Sequence, residues 1–381
     1  MNENKFTPTA EEALRLAQES MVLLKNDGIL PLQHNLTRIV VLGPNADNPE
    51  VQLGNYNGFP SEIVTPLEGI RAKTGAEVLY LQASDYTEAT CAGGEIDRAL
   101  EGADLAIFVG GISPRLEGEE GDAGRNAPEG FAGGDRTSIR LPRAQTEVMR
   151  HIHEAGIPLV FVSMSGSALA FPWEAEHADA ILQAWYGGQA AGTAVADILW
   201  GDCNPAGRLP VTFYADDSQL PDFTDYSMRG RTYRYFAGEP LYPFGFGLSY
   251  STFAYDTPVC RTRRPRTGEP ITITTRVRNT SDRTGEEVVQ LYLCHPDAPE
   301  PKPIRALKGV RRITLRPGEA QTVEFTLMPR DLALVQPDGR SVCAPGTIRC
   351  YIGGAQPDAS PESERRSCPI RISGTAKVLP R

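Results

Sequence analysis

LAIFVGGISPRLEGEEGD, residues 105–122, decides how the first half of the chain is read. Leu105-Ala106-Ile107-Phe108-Val109 is apolar without the alternation of a strand wetted on one face, so it suits a strand buried on both. The run breaks at Gly110-Gly111 and passes into a loop crowded with carboxylates: Glu117, Glu119, Glu120 and Asp122. Similar apolar runs stand on either side of it, at Ile39–Leu42, Val78–Leu81, Leu159–Val162 and Ala180–Trp185. Arg143–His153 and Ala190–Leu199 between or after them read as helices. That alternation predicts an α/β fold over residues 37–214, a layered α/β sandwich with a mostly parallel sheet.

Upstream, Thr9-Ala10-Glu11-Glu12 is a capping box. Ala13, Ala17, Met21 and Leu24 follow at helical spacing until Gly28 and Pro31, so residues 1–36 are expected to be a leading helix and linker. Residues 215–256 are rich in Asp, Gly, Pro and aromatics, which predicts an ordered connector packed by its Tyr and Phe rings. From about 257 the runs become β-branched and aromatic, as in Ile271–Thr274, Val288–Leu293, Gln321–Leu327 and Ile348–Ile352. Turn signals such as Pro317-Gly318 and Pro337-Asp338-Gly339 separate them, predicting an all-β sandwich of immunoglobulin or fibronectin type over 257–377.

The 381 residues are 40 % hydrophobic and 23 % charged, as in soluble globular proteins. A net charge of -10 argues against nonspecific nucleic-acid binding, which needs cations to neutralise phosphates. No apolar run reaches membrane-spanning length, and Met1–Thr9 is polar, so no membrane partner and a cytoplasmic location are expected. The seven scattered cysteines contain no CxxC and no Cys/His cluster, so no metal and no cofactor are expected, and free buried thiols are the plainest state.

Chemistry is most concentrated in the loop after residue 111. Ligands of open α/β sheets bind beyond the carboxyl ends of the strands. Crowded carboxylates repel one another, which favours one staying protonated as a general acid, although a solvated acidic loop tip has the same composition. Other signals are weaker. Val41–Asn45 is not a dinucleotide fingerprint, and Ser165-Gly166-Ser167 reads as a helix-start turn. His151 and His153 read as helix-surface residues, and Trp173, Trp185 and Trp200 as core.

Several stretches taken together resemble glycoside hydrolase family 3, nearest its bacterial β-xylosidase and β-glucosidase branch. They are Glu19–Leu32, Gly201–Phe213, Arg231–Tyr235, Leu241–Tyr250, Leu307–Val310 and Pro317–Glu319. The resemblance implies an α/β sandwich followed by a fibronectin type III-like domain. It also implies a loop glutamate acting as acid/base, in surroundings that Glu117-Gly118-Glu119 and the later Asp135-Arg136 match. Aligned this way, Glu119 is the acid/base, with Glu117 the alternate. Gly54–Gly58 resembles a loop near the family's sugar, which marks Asn55 and Tyr56 as candidate substrate contacts.

The family's nucleophile is an aspartate in a (β/α)8 barrel, within Ser-Asp-Trp. Here Ser84-Asp85 precedes Tyr86 and Ser281-Asp282 precedes Arg283. Only about 35 residues precede the first expected strand, whereas a barrel takes about 250. The resemblance therefore implies the C-terminal part of a retaining exo-β-glycosidase hydrolysing β-xylosides or β-glucosides, inactive alone. Its expected partners are a β-linked oligosaccharide or aryl glycoside and a barrel domain in cis or trans. The alternative is a non-catalytic fragment that binds carbohydrate or a partner.

Overall fold

The computed structural model describes residues 9–118, 128–133, 135–357 and 366–380. The chain forms two compact units whose sequences interleave. The first takes Met1–Gly207, Phe213–Gln219 and Pro240–Tyr242; the second takes Arg208–Thr212, Leu220–Glu239 and Pro243–Arg381.

In the first unit, α1 (Ala10–Ser20) starts with the expected capping box: Thr9 N–H donates to Glu12 at 2.8 Å and Glu12 N–H to the Thr9 hydroxyl at 3.2 Å. The helix stops earlier than its spacing suggests. Val22–Asn26 is instead a strand, β1, paired antiparallel with β8 (Ala180–Gln183). Met21, Val22, Leu23 and Leu24 are all buried, and four consecutive buried residues satisfy a strand covered on both faces rather than one helical stripe.

The remaining strands of this sheet are β2 (Arg38–Leu42), β3 (Glu77–Leu81), β4 (Leu105–Gly111) and β7 (Leu159–Met164). With β8 they run parallel, in the order β1-β8-β7-β4-β2-β3. Every residue of β4 and β7 is buried, as their unbroken apolar runs require. The helices α2 (Pro66–Lys73), α3 (Gly93–Leu100), α5 (Arg143–Glu154), α6 (Pro172–His177) and α7 (Ala191–Trp200) join or follow the strands, making the mostly parallel α/β layering the sequence predicts. Between β4 and β7 lie the short α4 (Pro114–Glu117) and a small antiparallel pair, β5 (Phe131–Ala132) and β6 (Asp135–Arg136).

Strand order reverses at β2, whose neighbours are β3 and β4, so the crevice opens at the carboxyl ends there. Two glycines make those ends possible. Gly43 follows β2 at φ +102°, and a Cβ on it would lie 2.3 Å from the Val109 carbonyl oxygen. Gly111 ends β4 at φ +119°, with a Cβ position 2.1 Å from the Met164 carbonyl oxygen. Side-chain amides then fix the departing chain. Asn45 donates to the Gly110 and Ile112 carbonyls at 3.1 and 3.2 Å. Gln145 exchanges hydrogen bonds with both backbone groups of Gly111, at 2.8 and 2.7 Å.

The second unit contains α8 (Thr232–Tyr235), and its named strands pair antiparallel. One sheet holds β9 (Phe253–Tyr255), β10 (Val259–Cys260), β11 (Ile271–Asn279) and β14 (Ala320–Leu327); the other runs β13 (Ala306–Leu315), β12 (Gly285–Cys294), β17 (Gly346–Gly353), β18 (Ser367–Ile372). Strands β15 (Leu334–Val335), β16 (Ser341–Cys343) and β19 (Lys377–Val378) form a small third sheet. Inward residues including Ile271, Ile273, Val289, Leu291, Phe325 and Ile352 make one core. Arg208 and Glu287, with side chains 9 and 4 % exposed, form an ion pair at 2.8 Å. The Tyr255 hydroxyl donates to the same carboxylate, and Arg208 Nε donates to the Gly354 carbonyl at 3.0 Å.

In the connector Tyr233 stacks on Phe244 with ring centroids 4.1 Å apart. Not all its rings pack, however: Phe223 and Tyr226 are each 91 % exposed. Polar turns hold that loop instead, with Asp222 accepting from Thr224 N–H and Asp225 from Ser227 N–H, both at 2.8 Å. Arg231 ties them together by donating to the carbonyls of Asp222, Asp225 and Ser227. Among the described residues no helix is long and apolar enough to cross a membrane.

Gly111→Ala must both strain a positive φ and displace backbone, so it is expected to cost at least about 2 kcal/mol, read as a lower urea midpoint. A second expectation concerns His295, whose pKa burial and then the charges of Lys308 and Lys302 push down from 6.5 to about 4. Between those values the unfolded chain binds a proton that the folded one refuses, so stability falls as pH drops from 6.5 towards 4. The loss should approach about 3 kcal/mol, and His295→Asn should flatten that part of a urea-midpoint-against-pH curve.

Candidate active site

Pro114 starts α4 and the Ser113 hydroxyl accepts from Leu116 N–H, so a single turn projects Glu117 from the carboxyl end of β4. Three donors from two other strand ends meet its carboxylate. Gly166 N–H, in the turn after β7, donates to Oε2 at 2.8 Å. The Tyr186 hydroxyl, just beyond β8, donates to the same oxygen at 2.5 Å. The Ser167 hydroxyl donates to Oε1. A Cβ on Gly166 would lie 2.8 Å from Glu117 Oε2 and 3.0 Å from the Tyr186 ring, so any larger residue there would have to push the Glu117 carboxylate aside.

Arg136, on β6, backs this arrangement. Its Nη1 donates to the Ser167 hydroxyl at 2.7 Å and to the Ala168 carbonyl at 3.0 Å, and its Nε to the Ser138 carbonyl at 3.3 Å. Burial pulls the Arg136 pKa down while the charge of Glu117 opposes that shift. Burial, followed by the Glu117 charge, pushes the Tyr186 phenol far above its usual range, so Tyr186 acts purely as a protonated donor.

Both oxygens of Glu117 thus accept hydrogen bonds from the protein itself. A general acid needs a protonated oxygen free to reach the leaving group. This geometry makes Glu117 the anchor of its loop. Glu119, further along the same loop, lies outside the described residues.

Asn55 and Tyr56 are both exposed, Tyr56 by 86 % and at φ +55°. Their loop leaves a 3₁₀ turn, Val51–Leu53, through Gly54, whose Cβ position is 3.7 Å from the Tyr186 ring. The base of this loop and the Glu117 anchor therefore share Tyr186, bringing together two segments that the sequence only suggested separately. Phe59, on the same loop, is fully exposed.

The turn at Ser165-Gly166-Ser167 does not start a helix, since α6 begins only at Pro172. It presents an N–H and a hydroxyl to Glu117 instead. His151 bonds Asp97 at 2.6 Å, and His153 packs against Trp173 and His177. Among the described residues no group of three His, Cys, Asp or Glu side chains could hold a metal ion. Trp200 is core, as expected, whereas Trp173 and Trp185 are only partly buried. The Trp173 ring lies between His177, stacked at 4.5 Å, and Arg150 at 4.7 Å.

A family model described as the glycosyl hydrolase family 3 C-terminal domain matches residues 21–250, and one described as a fibronectin type III-like domain matches 287–356. Among similar curated proteins, a beta-xylosidase of Formosa agariphila is 36 % identical over 91 % of this chain and 48 % of its own length. A periplasmic beta-glucosidase of Salmonella typhimurium is 34 % identical over 90 % of this chain and 48 % of its own. The chain thus spans about half the length of these relatives. Among solved structures, a mutant beta-glucosidase from Listeria innocua in complex with laminaribiose superposes with a TM-score of 0.81 at 27 % identity, covering 98 % of this chain and 52 % of that one.

Removing the Glu117 carboxylate would strip the acceptor from three donors and leave Asp217 as the remaining anion acting on the Arg136 charge. Glu117→Ala is therefore expected to lower stability by about 2–3 kcal/mol, and Tyr186→Phe by about 1 kcal/mol, in urea unfolding. A Glu117→Ala variant as stable as the parent would show that the anchor carries no weight.

Proposed function

The chain belongs to glycoside hydrolase family 3, matching its C-terminal domain, and from that premise we propose that it is part of a retaining exo-β-glycosidase acting on β-xylosides or β-glucosides. Its role is to supply the acid/base glutamate to a (β/α)8 barrel, carried elsewhere in the polypeptide or on another chain, that holds the nucleophile and the sugar. The observation that carries this reading is the anchored loop. Glu117 is fixed by Gly166, Ser167 and Tyr186 at the crevice edge, in the segment that continues to Glu119.

In this reading Glu119 protonates the glycosidic oxygen as the bond to the sugar breaks, then takes a proton from the water that hydrolyses the glycosyl-enzyme. The two carboxyl groups of a retaining glycosidase stand about 5 Å apart, so the loop must be covered by the barrel for the reaction to run. Glu117, with both oxygens committed, sets where the loop starts. Asn55 and Tyr56 line the approach of the β-linked oligosaccharide or aryl glycoside from the neighbouring loop. Their exposure, with that of Phe59, Phe223 and Tyr226, supports a chain whose surface meets further partners. The same exposed rings favour the second reading, a non-catalytic fragment that binds carbohydrate or a partner protein.

Two assays test the catalytic reading, and the second separates it from the non-catalytic one. The chain alone is expected to leave aryl β-xylosides and β-glucosides unhydrolysed. In a complete enzyme containing this chain and a cognate barrel, Glu119→Gln should lower kcat about 10²–10⁴-fold for substrates with poor leaving groups and much less for activated ones. Robust turnover by the chain alone, or wild-type kcat in Glu119→Gln, would overturn the catalytic reading.

A further inference from the structure

Cys350 on β17 and Cys368 on β18 stand directly opposite one another in the antiparallel register. Opposed residues of such strands have Cα atoms about 4.5–5.5 Å apart, inside the range a disulfide spans. Both side chains belong to the core side of the sandwich: Cys350 is wholly buried, and the half-buried Cys368 packs against the same cluster. Cys260, on β10, joins them there. All three are thiols in this structure.

We propose that Cys350 and Cys368 are a redox-modifiable dithiol, which low-molecular-weight disulfides of the glutathione class convert into a cross-strand disulfide. The surroundings assign each sulfur a role. Cys368 accepts hydrogen bonds from the Cys350 thiol and from the backbone N–H of Cys260, which lower its pKa and favour its thiolate. Donating to Cys368, and then burial, raise the pKa of Cys350. Cys368 is also the more exposed of the two, as the attacking sulfur must be.

The Cys368 thiolate attacks one sulfur of the small disulfide, forming a mixed disulfide and expelling one thiolate. Cys350 then loses its proton and attacks the Cys368 sulfur, forming the Cys350–Cys368 bond and expelling the second small thiolate. Two protein thiols are oxidised by two electrons, the reagent is reduced to two thiols, and the two protons lost by the cysteines end on them. Because β18 is the outer strand of its sheet, the bond fastens that edge to β17 covalently.

The test uses the whole chain, incubated with excess oxidised glutathione, blocked with N-ethylmaleimide and mapped by mass spectrometry. The expected result is the loss of two of the seven thiols, a peptide joining Cys350 to Cys368, reversal by dithiothreitol, and a higher urea midpoint for the oxidised form. Cys350→Ser should stop at a glutathione adduct on Cys368, and Cys368→Ser should consume oxidant at least tenfold more slowly at these positions. Circular dichroism checks that the variants fold; should either not, the peptide map of the unaltered chain decides. Seven intact thiols after prolonged oxidation, a bridge from Cys368 to Cys260, or a persistent adduct on Cys368 of the unaltered chain would each overturn the proposal.

Discussion

One carboxylate organises the edge of the first unit. Glu117 receives an N–H and a hydroxyl from the turn after β7 and the hydroxyl of Tyr186, three residues beyond β8, with the Arg136 guanidinium held to the same Ser167. None of these groups could be withdrawn cheaply. A buried cation without a nearby anion, or a carboxylate with unmatched lone pairs, costs more than the pair contributes when complete. The network can be this tight because its members sit on ends of strands that cannot shift without breaking the sheet. Gly43 and Gly111 let those strand ends lie close enough for the loops to meet.

How much of this was legible in the sequence follows from how local each cause is. The parallel strands could be read because burial on both faces leaves an unbroken apolar run, as in Leu105–Val109 and Leu159–Val162. β1 carries no decisive signal, because Met21 and Leu24 satisfy a helical period as well as a strand does; only pairing with β8 separates the two. The acidic loop could be singled out from its own composition, but the anchoring of Glu117 could not. Its partners Ser167 and Tyr186 lie 50 and 69 residues away in sequence. A usable signal did exist, in that each stands within a few residues of the end of an apolar run, where side chains of an α/β sheet converge. Ser165–Ser167 has the composition of a helix start, but its free N–H and hydroxyl are taken by Glu117 from the neighbouring strand end.

The second unit teaches the same lesson through register. Its strands announced themselves by β-branched residues and turn signals, and the sandwich is there. Which residues face each other depends on pairing that spacing does not encode, and so the opposition of Cys350 to Cys368 appears only in the fold. The connector divides in the same way. Aromatic content suggested packing by rings, yet the loop at 222–231 is held by aspartate turns and Arg231.

The interleaving of the two units has a practical bearing on how the polypeptide can be divided. Arg208 precedes Phe213 in sequence, yet its charge is matched by Glu287 and its folding partners belong to the second unit. A protease nick or gene fusion at the composition change near residue 215 would leave Glu287 and Tyr255 arranged around a missing cation, while keeping Arg208 would surrender Phe213–Gln219 from the first unit. No single peptide bond separates two complete halves: the units alternate along the chain at five junctions, so exchanging one whole module between relatives demands a crossover at each.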